Sequence, residues 1–364
     1  MAKAKYAHLV NPLRLWTESV RPSYRGKMAD FSLLFDEQVY PNAPLWVETF
    51  YAYAPGAGVG VPGALPSLWK GQERKRKGPW GQHSHDNFDE LFLFWGTDPT
   101  DNTRLGGEVE MWLGDGENAQ KYIAKEPTAK WVPRGVAHNP WIVTKVDDPK
   151  YPIIIMVIAL THTYNTTDEV TKNYPPPPAF SMDKLGIEQP GKGKYTKYFN
   201  RMLLSQTIMI PQLRGRVCVP NLMFDDTTYR APVWVEIFHV YAGGQGVGVP
   251  CLQMSPTRDG KMRDNRNGSQ HSQNFDELFL FISADPHDTL NLGGEVVTYL
   301  GDEGYSLTKS TGVFVPAGTP HNPQYYKRVD KGRTYFMVVI ALVDNAKFFE
   351  GQIQGWPAPK TFKF

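Results

Sequence analysis

The chain contains two copies of one long sequence repeat, arranged in tandem. Residues 43–62 and 231–250 are identical at 14 of 20 positions, and the block NFDELFLF begins at Asn87 and again at Asn274. The block VPxGxxHNP begins at Val132 and Val315, and the offset between matching blocks drifts only from 188 to 182 residues. A repeat of this length, present twice, indicates duplication of a whole domain and not a solenoid of short units.

The composition predicts that the repeated domain is built from β-strands. The 33 glycines and 30 prolines among 364 residues are typical of turn-rich, all-β structure. Short apolar or alternating segments such as LWVETFYAY and PIIIMVIAL predict several antiparallel strands per copy, as in a β-sandwich or a jelly-roll barrel. Helical periodicity is scarce, and TKYFNRMLLSQT at 196–207 is one short helix candidate.

A run of four prolines separates the two copies. Residues 175–178 are all proline, which predicts a stiff, extended connector. We therefore predict an N-terminal domain over residues 1–175, a Pro-rich linker over 176–194 and a C-terminal domain over 195–364.

Charge and cysteine content exclude several classes of protein. The 39 basic and 37 acidic residues give a net charge of +2, so neither nucleic acid nor a membrane surface is an expected partner. The longest apolar runs are far shorter than the roughly 20 residues of a transmembrane helix. The two cysteines cannot form a disulfide framework, and the first residues lack the apolar stretch of a signal peptide, so we expect a cytoplasmic protein.

Three histidines and a glutamate of the first copy are spaced like metal ligands. His83 and His85 lie two residues apart, so on a strand both imidazoles project from one face. Glu90 follows, and His138 comes after the Pro133-x-Gly135 turn. Three imidazoles and one carboxylate suit Fe(II), Mn(II), Ni(II) or Zn(II), and they leave two positions open if the ion is octahedral.

The second copy keeps this pattern with one substitution. His271, Glu277 and His321 repeat the ligand positions, whereas Gln273 stands where the first copy has its second histidine. An amide oxygen is a weaker ligand than imidazole for most of these ions. We therefore expect the second site to bind metal less tightly or to use another geometry.

These motifs resemble those of the cupins, and specifically of the bicupins, which carry two jelly-roll barrels in one chain. The family's HxH-x(3,4)-E motif is similar to His83, His85 and Glu90, and its PxGxxH motif is similar to the segment ending at His138. The resemblance covers both halves outside the linker. It implies two tandem jelly-roll (cupin) barrels with few short helices, each holding a divalent ion, with Fe(II) or Mn(II) expected first. Homo-oligomers are also implied.

Two features depart from the family pattern. In the family, five residues separate the glycine from the first histidine, whereas four separate Gly78 from His83 and two separate Gly268 from His271. Asn139 and Asn322 directly follow the last histidine of each copy. The chain is therefore not a close relative of oxalate decarboxylases or seed storage cupins. The amide in the second site is similar to the large subunit of hydroquinone ring-cleaving dioxygenases.

The resemblance implies a metal-dependent enzyme acting on a small molecule. We expect it to cleave a carbon–carbon bond of a cyclic phenolic or β-diketone compound, and we favour dioxygenase chemistry because it is common in the resembling family. One alternative is a redox-neutral, Mn-dependent hydrolase or lyase that opens a cyclic 1,3-diketone. Another is a non-catalytic bicupin that binds or stores a small ligand.

Tryptophans are concentrated in the first copy, and two of them flank its ligand segments. Trp80 and Trp141 have no counterpart in the second copy. They are candidates for the walls of a flat, apolar substrate pocket, although packing in the core is the commoner role of such residues.

Overall fold

A computed structural model describes most of the chain. The described residues are 4–16, 26–60, 82–161, 171–175, 177–188, 193–205, 213, 215–218, 220–249, 254–256, 262–264, 270–350, 354–356 and 359–362. Within them the molecule is almost entirely β-structure.

The N-terminal half contributes thirteen of the described strands. These are β1 (Val10–Pro12), β2 (Arg14–Trp16), β3 (Ser32–Phe35), β4 (Trp46–Ala52), β5 (Gly58–Val59), β6 (His83–His85), β7 (Glu90–Gly96), β8 (Gly107–Leu113), β9 (Gln120–Ala124), β10 (Thr128–Val132), β11 (His138–Val146), β12 (Ile153–Ala159) and β13 (Thr171–Asn173). Runs of β-branched and aromatic residues such as Ile153–Ala159 favour strands that are buried on both faces.

The C-terminal half repeats the same order of strands. They are β14 (Phe199–Arg201), β15 (Leu203–Ser205), β16 (Asn221–Phe224), β17 (Trp234–Val240), β18 (Gln245–Val247), β19 (Met254–Pro256), β20 (Met262–Asp264), β21 (Gln270–Ser272), β22 (Glu277–Ser283), β23 (Asn291–Leu300), β24 (Glu303–Lys309), β25 (Thr311–Val315), β26 (His321–Val329), β27 (Tyr335–Ala341) and β28 (Gln354–Trp356). The described helices are short 3-10 turns: Ala7–Leu9, Gly116–Asn118, Met182–Lys184, Thr196–Tyr198 and Asn345–Glu350.

The strands form two compact units, which we call the first and second barrels. The first barrel comprises Arg14–Asp98 and Thr103–Arg201, and the second comprises Met1–Leu13, Pro99–Asn102 and Met202–Phe364. In the first barrel one sheet has the order β14-β10-β7-β12-β4-β3-β2 and the other β13-β6-β11-β8-β9, with β5 added to β11. The core lies between these sheets, where Phe50 and Phe92 of one meet Met111 and Trp141 of the other.

The second barrel has the same topology. Its larger sheet has the order β1-β25-β22-β27-β17-β16-β15, and its smaller sheet β24-β23-β26-β21-β28, with β18 added to β26. A separate two-stranded ribbon consists of β19 and β20. Two antiparallel sheets closed over one core in each half confirm the predicted pair of jelly-roll barrels.

Each barrel completes a sheet with a strand from the other half of the sequence. The N-terminal strand β1 pairs with β25, so that Val10 lies opposite Val313. Strand β14, which begins the second repeat, pairs in the same way with β10 of the first barrel. Each compact unit therefore includes a short piece from the other half of the sequence. The predicted domain boundaries at residues 175 and 195 stay a prediction.

The helix candidate at 196–207 is wrong over its described part. Thr196–Tyr198 forms one 3-10 turn, after which the chain continues as β14 and β15. The neighbouring strands supply the reason, because Phe199–Arg201 pairs with β10 and Leu203–Ser205 pairs with β16. Tertiary pairing overrides a weak local helical pattern.

The connector after the first barrel lies against the outer face of β8 and β9. The Lys121 ammonium is 3.0 Å from the Glu110 carboxylate, and both side chains are at most 1% exposed. Lys121 also donates to the carbonyl of Lys184 at 2.8 Å, and the Gly186 amide donates to Glu110 at 2.9 Å. Charged groups buried by the 180–188 segment therefore fasten that segment to the first barrel.

No helix in the described part of the chain is long and apolar enough to cross a membrane.

Candidate metal centres

The four predicted ligands of the first barrel come from the ends of three strands. His83 and His85 are the first and last residues of β6, and Glu90 and His138 are the first residues of β7 and β11. Strand pairing aligns them, because His138 lies opposite His83. The four polar side chains therefore meet at one end of the first barrel.

The ligand atoms of the first barrel form a compact cluster. One ring nitrogen from each of His83, His85 and His138 lies within 4.8 Å of the others. The Glu90 carboxylate lies 2.8 Å from Nε2 of His138 and 3.8 Å from Nε2 of His85. His85, Glu90 and His138 are at most 3% exposed, whereas His83 is half-buried.

The PxG turn sets the orientation of His138. Gly135 has a φ of 76°, a conformation that glycine adopts without strain, and its amide donates to the carbonyl of His85 at 2.7 Å. Nδ1 of His138 lies 3.1 Å from the carbonyl of Val136. A carbonyl only accepts, so Nδ1 carries the hydrogen and Nε2 keeps its lone pair for a metal.

In each barrel, the asparagine that follows the last candidate histidine in the sequence contacts the first candidate histidine. Asn139 and Asn322 have φ values of 77° and 79°, which asparagine tolerates better than most residues. Their side-chain amides lie 3.4 Å from Nδ1 of His83 and 3.1 Å from Nδ1 of His271, respectively. The asparagine that departs from the family pattern thus contacts a candidate ligand in both barrels.

Charge in the first site favours the protonation states that metal binding needs. Burial lowers the pKa of His85 to about 4, although Glu90 opposes this, so the imidazole is neutral near pH 7. Burial alone would raise the pKa of Glu90, but the facing His138 and His85 lower it to about 2. The site thus presents a carboxylate at Glu90 and a neutral imidazole ring at His85.

The buried polar atoms of the first site indicate whether a cation fits there. Among the described residues, both carboxylate oxygens of Glu90 and Nε2 of His138 are buried and have no hydrogen-bond partner. Nε2 of His138 lies 2.8 Å from a carboxylate oxygen of Glu90, so these two buried atoms contact each other. Buried groups of this kind are normally satisfied, and a divalent cation bound by these atoms would satisfy them.

The second barrel builds a similar site. Nitrogens of His271 and His321 and a carboxylate oxygen of Glu277 all lie within 4.8 Å of one another. Nδ1 of His321 lies 2.9 Å from the Thr319 carbonyl. Buried Nε2 of His321 and Oε2 of Glu277 lie 3.0 Å apart and have no other hydrogen-bond partner in the described structure. The Gln273 amide donates to Glu277 at 3.3 Å. Both sites therefore suit a divalent first-row ion.

The interiors of the two barrels differ in polarity. Trp141 is 1% exposed and packs edge to face against Phe50 and Phe94, with centroid distances of 5.7 and 6.5 Å. At the matching place the second barrel has Gln324, opposite Thr298 on β23. Both are fully buried, and both Gln324 amide atoms and the Thr298 hydroxyl have no hydrogen-bond partner within the described residues. The ring of Trp141 fills space that is polar in the second barrel.

A glutamate inside the second barrel gives a prediction about pH. Burial raises the pKa of Glu236 to about 8, although a hydrogen bond of 2.7 Å from Asn221 opposes this rise. The folded protein therefore keeps a proton that the unfolded chain loses near its ordinary pKa of 4.5. The contribution of Glu236 to the free energy of unfolding should therefore be largest below pH 4.5. From there toward pH 8 it should fall by up to about 1.4 kcal/mol per pH unit.

The measurement is urea denaturation at several pH values between 5 and 8. Glu236→Gln should remove this fall, whereas Glu126→Gln, which changes an exposed ion pair with Arg201, should leave it in place. Parallel pH profiles for the wild type and Glu236→Gln would refute the prediction.

The aspartates beside the candidate glutamates have structural contacts. Asp89 accepts a hydrogen bond from the backbone of Arg134 at 2.7 Å, and Asp276 accepts one from the backbone of Ala317 at 2.8 Å. Both bonds hold the middle residue of the PxG turn. These aspartates therefore support the loop that carries the last histidine of each site.

One candidate residue lies outside the described residues, and one buried residue was not singled out by the sequence analysis. Trp80, a candidate for a pocket wall, lies outside the described residues, and a pocket role for Trp141 stays a proposal. Lys130 was missed, although it stands in a buried strand where the second copy has Val313. Direct alignment of the two repeats is the signal that singles it out.

Comparison with known proteins gives a structural likeness only. No family model matches the sequence, and no curated protein matches it. The oxalate decarboxylase from Bacillus subtilis, solved at pH 4.6, is similar in structure, with a TM-score of 0.52 and 10% identity. The likeness covers 95% of this chain and 78% of that one. A tryptophan-to-phenylalanine variant of that enzyme gives a TM-score of 0.51 at 10% identity, over 95% and 79% of the two chains.

The chain thus has the bicupin fold, with two cupin barrels in one polypeptide, as its motifs predicted. An identity of 10% defines the fold alone, and function has to come from the residues of the sites.

Proposed function

We propose that this protein is a metal-dependent enzyme that cleaves a carbon–carbon bond of a cyclic phenolic or β-diketone compound, with dioxygenase chemistry. The observation that carries the proposal is the buried cluster of the first barrel, where Nε2 of His138 and the Glu90 carboxylate lie 2.8 Å apart and have no hydrogen-bond partner elsewhere among the described residues. We propose His83, His85, Glu90 and His138 as the ligands of the working ion. His271, Gln273, Glu277 and His321 are the proposed ligands of a second, weaker site.

The protein's own residues hold the proposed ligands in place. The Val136 carbonyl fixes the ring of His138, and the Asn139 amide lies against His83. Phe88 stacks on His85 with a centroid distance of 4.5 Å. Ligands that are already oriented need little rearrangement when an ion or a substrate binds.

Apolar side chains line the interior of the first barrel beside the cluster. Phe92 lies 5.8 Å from the ring of His138, and Phe94, Trp141 and Val157 line the core beyond it. Exclusion of water strengthens electrostatic contacts with a bound substrate. When bound, Fe(II) or Mn(II) would supply Lewis-acid polarisation of substrate oxygens and, with dioxygen, electron transfer.

The fold likeness supports carbon–carbon cleavage in general terms. The similar solved structures are oxalate decarboxylases, and a decarboxylase breaks a carbon–carbon bond. Their reaction as named needs no ring and no aromatic substrate. Our preference for dioxygen therefore rests on the resemblance of the motifs to the cupins, among which dioxygenase chemistry is common. The similarity of the second site to hydroquinone ring-cleaving dioxygenases agrees with a cyclic substrate.

A redox-neutral lyase or hydrolase is the second candidate. The same likeness to decarboxylases supports it, and Mn(II) would suit it as a Lewis acid. A bicupin that only binds or stores a small ligand is the third candidate. The homo-oligomer and the cytoplasmic location expected from the sequence also stay predictions.

Oxygen dependence tests the proposal. The full-length protein, loaded separately with Fe(II) and Mn(II), is incubated with hydroquinones, catechols and cyclic 1,3-diketones in air and under strict anaerobiosis. We expect one dioxygen consumed per ring opened, followed by an oxygen electrode and mass spectrometry. Turnover that is undiminished without oxygen would assign the lyase or hydrolase instead, and metal-bound protein without any turnover would support the binding protein.

Restoring the histidine of the second site gives a separate prediction. Gln273 occupies the backbone place of His85, because the Gly318 amide donates to its carbonyl at 2.7 Å as the Gly135 amide does to that of His85. Gln273→His should therefore raise the metal affinity of the second site by roughly 10-fold or more. Competition with a chromophoric chelator measures this, and the affinity of the first site serves as the internal control. Unchanged affinity at the second site would contradict the assignment of Gln273 as a ligand position.

A further inference from the structure

Lys130 is a buried lysine whose ammonium group has no hydrogen-bond acceptor among the residues that the structure describes. Its residue exposure is 0%, and its ammonium group has no hydrogen-bond partner within the described residues. The ammonium nitrogen lies 3.8 Å from the centroid of the Phe92 ring. A buried charge is normally paired, so this arrangement needs an explanation.

The strand register directs Lys130 into the barrel that holds the first metal site. Lys130 lies opposite Phe92 on β7. Two residues further along these strands, Val132 lies opposite Glu90. Side chains two residues apart on a strand share a face. Phe92 and Val132 both belong to the core of the first barrel, so the Lys130 side chain enters this interior one pair away from Glu90.

The local contacts do not balance the charge of Lys130. The face of Phe92 attracts an ammonium group, but this attraction is weaker than an ion pair. Glu90 is the acidic group that acts on Lys130, and its carboxylate is already opposed by His138 and His85. Burial lowers the pKa of Lys130 to about 7, with Glu90 opposing this fall. An anion brought into this space would favour the charged form.

The second barrel shows that the strand does not need a lysine here. Val313 takes the matching place on β25, opposite Phe279. Both residues are buried, and the neighbouring strands pair in the same register. An apolar residue is thus compatible with the fold at this position, and the lysine belongs to a function of the first barrel alone.

We propose that the ammonium group of Lys130 binds an anionic oxygen of the substrate, a carboxylate, phenolate or enolate, inside the first barrel. This inference rests on the proposed function, because it places the organic ligand beside the first metal site. It deepens that function by assigning an anionic substrate to the first barrel, which the second barrel with Val313 is not built to bind.

Two probes of equal shape and different charge test this role. The full-length protein loaded with Mn(II) is titrated with benzoate and with neutral benzamide, by calorimetry and by the shift of the melting temperature. We expect the wild type to bind benzoate at least roughly 10-fold more tightly than benzamide, since hydrogen bonds to charged groups commonly contribute this much. Lys130→Met should lose this preference while its affinity for benzamide stays the same.

The stability of the ligand-free protein separates binding from a structural role. If Lys130 serves an anionic ligand, Lys130→Met removes an uncompensated buried charge, and the melting temperature should stay equal or rise. A fall in melting temperature with an unchanged benzoate preference would show a structural role and overturn the proposal. Lys130→Gln repeats the comparison should the methionine variant fail to fold.

The wild type alone can also overturn the proposal. Equal binding of benzoate and benzamide, or no benzoate binding up to about 10 mM, would do so whatever the variants show. Failure of the proposed function is distinct, because it would appear as absent turnover in protein that still binds Mn(II) and prefers benzoate.

Discussion

Replacing His138 with alanine is expected to remove the metal ion from the first barrel and to abolish its activity. His138 supplies the buried Nε2 that faces Glu90 at 2.8 Å, and its other nitrogen is held by Val136. Loss of a residue that merely supports a ligand weakens metal binding roughly 10- to 100-fold. Loss of the ligand itself should therefore weaken it by at least about 100-fold and leave less than about 1% of the turnover.

Metal analysis after dialysis against a weak chelator measures the effect. His321→Ala, the matching change in the second barrel, should remove metal from the second site and leave the first occupied. His287→Ala changes an exposed histidine that belongs to neither candidate cluster and should retain all metal. Full metal content and full turnover in His138→Ala would refute the assignment of the working site.

Replacing Lys121 with alanine is expected to destabilise the protein more than replacing any other lysine on the outer face of the first barrel. The change leaves Glu110 buried with its hydrogen bonds to Trp112 and Gly186 but without the cation 3.0 Å away. Removing one partner of a buried ion pair destabilises proteins by about 3 to 5 kcal/mol. Urea denaturation followed by tryptophan fluorescence measures the free energy of unfolding.

A nearby exposed pair provides the matched control. Lys125 contacts Glu188 at 2.5 Å, at the same edge of the barrel, but these side chains are 52% and 68% exposed. Lys125→Ala should have no measurable effect, because water screens such pairs. The double change Lys121→Met with Glu110→Gln should recover much of the lost stability, since no buried charge then remains alone. Equal effects of Lys121→Ala and Lys125→Ala would contradict the importance of burial.

The repeat and its motifs predict the parts of this molecule that depend on local spacing. His83 and His85 are two residues apart in a short strand, and the glycine of the PxG turn needs a positive φ, so both features can be inferred from sequence alone. The structure brings His138 and Glu90 to them as the motif suggested. The second cluster, with Gln273 beside Glu277, also follows from aligning the copies.

Features that depend on pairing between distant segments could not be predicted. Whether Lys130 faces solvent or the core depends on its register with Phe92, which no local pattern specifies. The partner of β1 depends on the free edge of β25, more than 290 residues away. The polar interior around Gln324 is visible only once β26 is placed opposite β23.

The exchanged strands have a consequence for the origin of this chain. The start of each repeat is equivalent, since the 3-10 turn Ala7–Leu9 and strand β1 match Thr196–Tyr198 and β14, and each adds to the barrel of the other repeat. A single-repeat ancestor would have exchanged this strand between two molecules, as a domain-swapped dimer does. The present protein then corresponds to such a dimer joined into one polypeptide. Expressing either repeat alone should leave β10 or β25 with an open edge, which promotes self-association.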